Sequence, residues 1–513
     1  MAKQLSFALK QCVNSKFTAS VKMVHAHSLK LGSLSDVHLC THALNAYRRC
    51  GVVLDACQLF DEISAEDEQH VLLDVVCWNS IISGCVQNRW DEEAFCRFKH
   101  MQFYHSHNSS CDNLEDLRPD SYTLSSLLSS NYCLERSISP GEQLHGYATK
   151  TAILSSLSVG NALITLYAKW GNLNESRLVF KSMAGLNIVS WTALISGHAQ
   201  LEGQEEESLR MFVIMMREGE QQPNQFTLAS VFSACGRLAS FSQGVPFVTI
   251  ALKLGLLSDI HVQNSLVGFY SECGSMEVAE VVFNAITNPD LVSWNSLLKG
   301  YSHQGTAEKA LKVFEEMSMR GTTPDTITFL AILSACRHTG MVSLGLSLFR
   351  SMKAEYQIEP EAEHISCIVD LLGRAGQLQQ AEELISGIQQ KLGPSVWRTL
   401  LGACRLHGQG ELAELAASRL LELEPCDAEA HIVLSHIYAA NGRWEMVAKL
   451  RRSLKEKGVV KEPGYSWIEV GNQVHSFMAA DSNHQQIDAI YKTLRLLTKH
   501  TKEQNIEVPL QKP

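Results

Sequence analysis

Residues able to do acid–base, nucleophilic or metal chemistry are common in this chain, but few are spaced to do it. His100, His105, His107 and Cys111 crowd one stretch. Their spacing matches no tetrahedral ligand set and loop-forming residues flank the run, so no metal site is expected. Fifteen Cys occur without a single C-x-x-C pair. Set in apolar contexts, as Cys235 is in SACG and Cys336 in SACR, they read as small buried hydrophobes of a reducing compartment. No phosphate loop, nucleophile elbow or zinc triad is present, so neither a catalytic residue nor a cofactor is expected. The polar residues that do recur are of another kind. Asn79, Thr192 and Asn295 each follow a Trp, in VVCWNSIISG from Val75, IVSWTALISG from Ile188 and LVSWNSLLKG from Leu291. An amide or hydroxyl donates and accepts hydrogen bonds, which is the chemistry of recognition.

A repeat must position these residues. Trp78, Trp191 and Trp294 lie 113 and 103 residues apart. Between them, SVGNALITLYAKWGNLNESRLVF from Ser158 is answered by HVQNSLVGFYSECGSMEVAEVVF from His261. FTLASVFSACGRLASFSQG from Phe226 is answered by ITFLAILSACRHTGMVSLG from Ile327, and more loosely by YTLSSLLSSNYCLERSISPG from Tyr122. Cutting at the recurrent Pro-Asp, Pro-Asn and Ser-Asp ends gives repeats 291–325, 326–361 and 260–290, of 35, 36 and 31 residues. In the first, Trp294, Leu297, Leu298 and Tyr301 stand at helical spacing, Gly305 and Thr306 interrupt, and Ala307, Ala310, Leu311, Phe314 and Met317 resume it before Gly321 and Pro324. Each repeat is therefore a helical hairpin. Two short amphipathic helices cannot bury both apolar faces alone, so neighbours must stack into an all-α, right-handed α-solenoid.

The register reaches the N-terminus, because SLKLGSLSD at 28–36 mirrors ALKLGLLSD at 251–259. Lys3, Lys10, Lys16 and Lys22, with no acid before Asp36, are transit-like, yet the segment lacks Arg and already belongs to a repeat. Repeat 75–120 has 46 residues, and its surplus around FYHSHNSSCDNLEDL is expected to loop out. Of the 513 residues 45% are hydrophobic and 19% charged, and no apolar run approaches the ~20 residues of a bilayer span. The net charge of -10 argues against phosphate-driven nucleic-acid binding, so any such function must rest on base recognition or on a local groove.

The alternation of 35, 36 and 31 residues resembles the plant pentatricopeptide-repeat proteins of the PLS class. After Ala362 the strings HISCIVDLLGRAGQLQQAEELI, SVWRTLLGACRLHGQGELAELAASRLLELEPCD and HIVLSHIYAANGRWEMVAKLRRSLKEKGVVKEPGYSWIEVGNQVHSF resemble the last short repeat and the E and E+ regions of that class. The resemblance implies a repeat array over 1–394, an E region of tetratricopeptide-like hairpins over 395–461 and an E+-like segment over 462–513. It implies a protein that binds single-stranded organellar RNA, mitochondrial or alternatively plastid, and selects cytidines for conversion to uridine. Members with a deaminase domain need H-x-E and P-C-x-x-C. Neither occurs here, since Pro425 and Cys426 are followed by Asp427 and no second Cys. The chain is thus expected to be no enzyme, with a deaminase-bearing partner or other editing factor acting in trans through the E and E+ regions, and with no small-molecule substrate.

In this family one base is read per repeat by the fifth residue as cut here and the last. The resemblance then gives U to Asn79 with Asp120, to Asn264 with Asp290 and to Asn295 with Asp325. It gives C to Asn161 with Asn187, A to Thr192 with Asn224, and G to Thr41 with Asp74. A terminal Asp can accept the imino N–H of uracil or guanine, whereas an Asn amide can donate to the bare ring nitrogen of cytosine or adenine. The long repeats depart, with Ser125, Ala229 and Leu330 at the fifth position. Read from the 5′ end, the set spells 5′-GUNCANUUNN-3′. An Asn near a helix start and an Asp after Pro also serve as caps and turn formers, so each pair has a structural reading beside the functional one. A tetratricopeptide-like protein scaffold is the rival fold-level reading, and splicing, stability or translation is the rival to editing.

Overall fold

The computed structural model describes residues 2–15, 18–31, 36–65, 74–107, 118–130, 132–133, 139–388, 392–440, 442–456, 465–470, 473–478 and 486–503. They form two compact units, one of Met1–Ala239 with Phe247–Phe269 and the other of Ser240–Pro246 with Tyr270–Pro513. Each is a run of antiparallel helical hairpins, the α-solenoid that the repeat length implies. In the second unit Leu291–His303 turns through Gly305, at φ +66°, into Ala307–Met319. The first helices then lie side by side, Leu291–His303 on Thr326–Thr339, on Ala362–Arg374, on Pro394–His407. The first unit repeats this arrangement with Leu157–Lys169, Ile188–Gln200 and Gln225–Arg237. Its N-terminal helices Ala2–Ser15 and Thr18–Lys30 already belong to the stack. His25 Nδ1 meets the Tyr47 hydroxyl at 2.8 Å, and His145 meets Tyr167 at the same distance.

The three Trp copies have one packing cause. Phe60, Phe180 and Phe283, from the second helix of the preceding hairpin, meet Trp78, Trp191 and Trp294 edge to face at 4.7, 4.7 and 4.8 Å between centroids. Such a pair adds roughly 0.5–1.5 kcal/mol to the burial of the rings themselves. Leu297, Leu298, Tyr301, Ala307, Ala310, Phe314 and Met317 are buried beside Trp294, while Leu311 is half-buried and Val313 takes its inward place. The Gly that ends each copy marks contact between first helices. A Cβ at Gly197 would come within 2.5 Å of the Ala168 Cβ, and one at Gly300 within 2.5 Å of the Ser271 hydroxyl.

Two local features differ from expectation. Helix Asp91–His107 runs 17 residues where Ala307–Met319 runs 13, so the start of the surplus in repeat 75–120 winds as helix instead of looping out. Residues 108–117 and the side chains of His105, His107 and Cys111 lie outside the described residues, and His100 is exposed. Past the last helical hairpin, Tyr465–Val470 pairs antiparallel with Gln473–Met478, so a β-hairpin follows the helical array. Aromatic and β-branched residues in YSWIEV favour that extended pairing. Helix Ile487–Glu503 comes after it. No described helix is long and apolar enough to cross a membrane.

Candidate nucleic-acid interface

The last residue of a repeat is the N-cap of the next first helix. Asp120, Asn187, Asn224, Asp290 and Asp325 each accept the backbone N–H of the third helical residue, whose hydroxyl in turn accepts from the cap N–H. Asp74 likewise accepts from Cys77 N–H at 2.8 Å. A side-chain cap of this kind contributes roughly 1 kcal/mol. The cap side chain thereby stands at the seam between two first helices, within reach of the fifth residue of the helix before.

Three of the six expected pairs are joined directly. Asn79 Nδ2 donates to Asp120 Oδ1 at 3.0 Å, Asn295 Nδ2 to Asp325 Oδ1 at 3.1 Å, and Asn161 Nδ2 to Asn187 Oδ1 at 3.4 Å. Thr192 reaches Asn224 through a relay: its hydroxyl lies 2.7 Å from that of Thr227, which donates to Asn224 Oδ1 at 2.9 Å. Thr41 instead bonds the Val37 carbonyl at 2.8 Å and lies 3.1 Å from the Cys77 sulfur, while Asp74 faces the Cys77 N–H. Asn264 is buried in the first unit, and Asp290, in the second, accepts from Ser293 N–H at 2.8 Å.

A third residue completes two of the three direct pairs, and sequence reasoning missed it. The Thr328 hydroxyl donates toward Asn295 Oδ1 at 2.7 Å and lies 2.8 Å from Asp325 Oδ1, and the Thr123 hydroxyl stands in the same way between Asn79 and Asp120. Only a cap-x-x-Thr spacing in the sequence could have signalled it. The side-chain hydrogen bonds of Asp325 fall on Oδ1, which leaves Oδ2 as a further acceptor. Burial pushes the Asp325 carboxyl up, but the Thr328 N–H, its hydroxyl and the Asn295 amide outweigh that and hold it below the usual carboxylate range. It is therefore ionised at neutral pH.

Asn295 opens into a cavity of about 470 Å³ whose walls include Val292, Lys299, Ile327 and Leu330. Val292 and Ile327 are 57% and 59% exposed although apolar. They belong to a row of second helical residues, Val76, Tyr122, Val189 and Phe226 among them, that all stand exposed. Two apolar walls beside an amide that is itself bonded to an aspartate can hold a flat heteroaromatic ring by its faces and question its polar edge. In the long repeats the fifth position offers no such edge: Leu330 is a wall, Ala229 is apolar, and the Ser125 hydroxyl bonds its own helix at the Tyr122 carbonyl, 3.2 Å away.

The hairpin Pro394–His407 with Gly410–Leu423 carries the same two positions differently. Arg398 is the fifth residue and Asp427 the cap, accepting from Ala430 N–H at 2.7 Å. Here the guanidinium donates to Asp427 Oδ2 at 2.7 Å and also pairs with Glu424. Among the described residues no group of three or more His, Cys, Asp and Glu is arranged to hold a metal.

Known proteins share this pattern. Models described as PPR repeat match residues 76–104, 161–188, 189–220 and 327–356, one described as PPR repeat family matches 289–338, and one described as E motif matches 407–469. A pentatricopeptide repeat-containing protein of Arabidopsis thaliana is 36% identical over 496 residues, 96% of this chain and 69% of that relative. The Arabidopsis thaliana pentatricopeptide repeat-containing protein CRR2, chloroplastic, is 33% identical over 496 residues, 96% of this chain and 73% of CRR2. The chain spans about half the length of other curated relatives it matches, 47% in one case and 54% in another. The crystal structure of the pentatricopeptide repeat protein PPR10 from maize superposes with a TM-score of 0.41 at 19% identity, over 89% of this chain and 74% of that one. The chain belongs to the pentatricopeptide-repeat family and carries an E motif behind its repeats.

Proposed function

We propose that this chain is a sequence-specific single-stranded RNA-binding protein that recognises sites for organellar C-to-U editing, with the deaminase supplied in trans through its E and E+ regions. The observation that supports the base-reading part is the joined polar pair, Asn295 with Asp325 beside the cavity walled by Val292 and Ile327, and Asn79 with Asp120. An ionised Asp325 accepts the uracil imino N–H through Oδ2, while Val292 and Ile327 cover the ring faces. The rest of the series follows the order of the repeats, giving 5′-GUNCANUUNN-3′. An organellar place agrees with relatives whose names carry both "chloroplastic" and "mitochondrial". The editing part rests on the E motif at 407–469 and on the family resemblance.

Binding to two RNAs that differ only at the base facing Asn295 tests the reading. Asp325→Asn keeps a good cap but replaces an acceptor with an amide that donates to cytosine N3. Preference is expected to move from U toward C by ~1–3 kcal/mol, the size of a good polar base contact. Equal affinity changes for both RNAs would leave Asp325 a helix cap and nothing more. Sequencing organellar transcripts from plants lacking the protein separates the cellular roles. Loss of conversion at one or a few cytidines is the expected result, and altered intron content or transcript ends would replace editing with splicing or end protection.

A further inference from the structure

An asparagine amide can present either its NH₂ or its carbonyl to a base, and donation to a carboxylate oxygen favours turning the NH₂ toward the cap. At two repeats a third side chain reinforces that orientation. The Thr328 hydroxyl aims at Asn295 Oδ1, and the Thr123 hydroxyl at Asn79 Oδ1. A hydroxyl that donates there needs an oxygen to receive it, so Nδ2 is turned toward Asp325 or Asp120. The repeat with Ser190 at the same place behaves otherwise. Ser190 donates to the cap Asn187 Oδ1 at 3.0 Å, and Asn161 Oδ1 is buried with no hydrogen-bond partner. Its amide bond to Asn187 is also the longest of the three, at 3.4 Å.

We infer that Thr123 and Thr328 are specificity-determining positioning residues, which lock the preceding Asn in the orientation that selects its base, and that Ser190 leaves its Asn unlocked. The inference rests on the base-reading function proposed above. It makes the unit of recognition three residues, the fifth of one repeat, its last, and the third of the next helix. Thr123, Thr328 and Ser190 are all fully buried, each at the third position of its own helix.

The full chain is measured against RNA pairs differing at one base, U or C, facing Asn295 or facing Asn161. Wild type is expected to prefer U at the first position. Thr328→Val removes the donor at nearly constant volume and should lower the U-over-C ratio by about 3- to 10-fold, the range of one lost neutral hydrogen bond, whereas Thr328→Ser should keep most of it. Equal weakening toward both RNAs, with the ratio unchanged, overturns the inference and leaves Thr328 a capping residue. Ser190→Thr tests the same claim by gain and does not depend on how well the valine variant folds. It should sharpen the C-over-U ratio facing Asn161 about 2-fold or more, and no change there counts against the inference. A wild-type chain without any ratio facing Asn295 overturns base reading itself, and this inference with it.

Discussion

The repeat that ends at Asp325 and the hairpin that ends before Asp427 place a long polar side chain and an aspartate cap at the same two positions, with opposite availability. In the first, Asn295 and Thr328 occupy Asp325 Oδ1 and leave Oδ2 as a further acceptor. In the second, Arg398 takes Asp427 Oδ2, and the third helical residue is Ala430, which has no hydroxyl to give. Both carboxyls are held below the usual range by hydrogen bonds that outweigh burial, so charge alone does not separate them. What separates them is which oxygen is spoken for. An ion pair closes the Arg398–Asp427 seam from within.

The comparison can be broken most forcefully in the core. Trp294 is 1% exposed beneath Phe283, whereas Trp397, at the equivalent place in the E hairpin, is only half-buried. Trp294→Ala should lower stability by about 3–5 kcal/mol and Trp397→Ala by clearly less, read from urea unfolding of the full chain. Equal losses would mean that the two hairpins are packed alike and differ only in their polar seams.

A smaller effect is expected at the seam itself. Arg398→Ala leaves Asp427, 8% exposed, without its guanidinium, and should reduce stability by about 1–2 kcal/mol, a value lowered for the partly exposed Arg. Combining Arg398→Asn with Ala430→Thr rebuilds the Asn–Asp–Thr arrangement. That double variant should acquire a U-over-C ratio of about 3- to 10-fold at one further 3′ nucleotide, measured by binding to paired RNAs. If affinity changes without any base preference, seam chemistry does not define where reading ends.

The smallest effect is one of pH. Because the folded Asp325 carboxyl is depressed, its share of stability is complete above the unfolded carboxylate range and is lost as pH falls through the lower folded value. U preference facing Asn295 should therefore stay flat from about pH 8 to about pH 5. A preference that fades within that interval would show a carboxyl that titrates well above its ordinary value.

The sequence made some of this legible and hid the rest for physical reasons. Trp294, Leu298 and Phe314 stand at helical spacing, and a residue's place on a helix face follows from spacing alone. The hairpins were accessible in that way, whereas the pairing positions came from the family resemblance. Thr328 was not, because it bonds Asn295 across 33 positions, and a distance of that kind exists only after stacking. Val292 and Ile327 carried no signal in the sequence, because apolar residues at helix starts look like core, yet here they stand exposed beside the cavity. The β-hairpin of Tyr465–Val470 and Gln473–Met478 lies in the E+-like segment, whose strands are too short to impose a clear alternation.

The proposed double duty of Asp325 as helix cap and base contact carries a consequence for how such a protein changes over generations. A position that must begin a helix admits few side chains, chiefly Asp, Asn, Ser and Thr. The alphabet available for choosing a base at that place is thus set by what folding allows before any RNA is met. Asp and Asn are nearly equivalent as caps, so exchange between them passes through no poorly folded intermediate. Retargeting one nucleotide is in this way a single, almost neutral step for the scaffold, and lineages can drift among targets without first having to gain stability elsewhere.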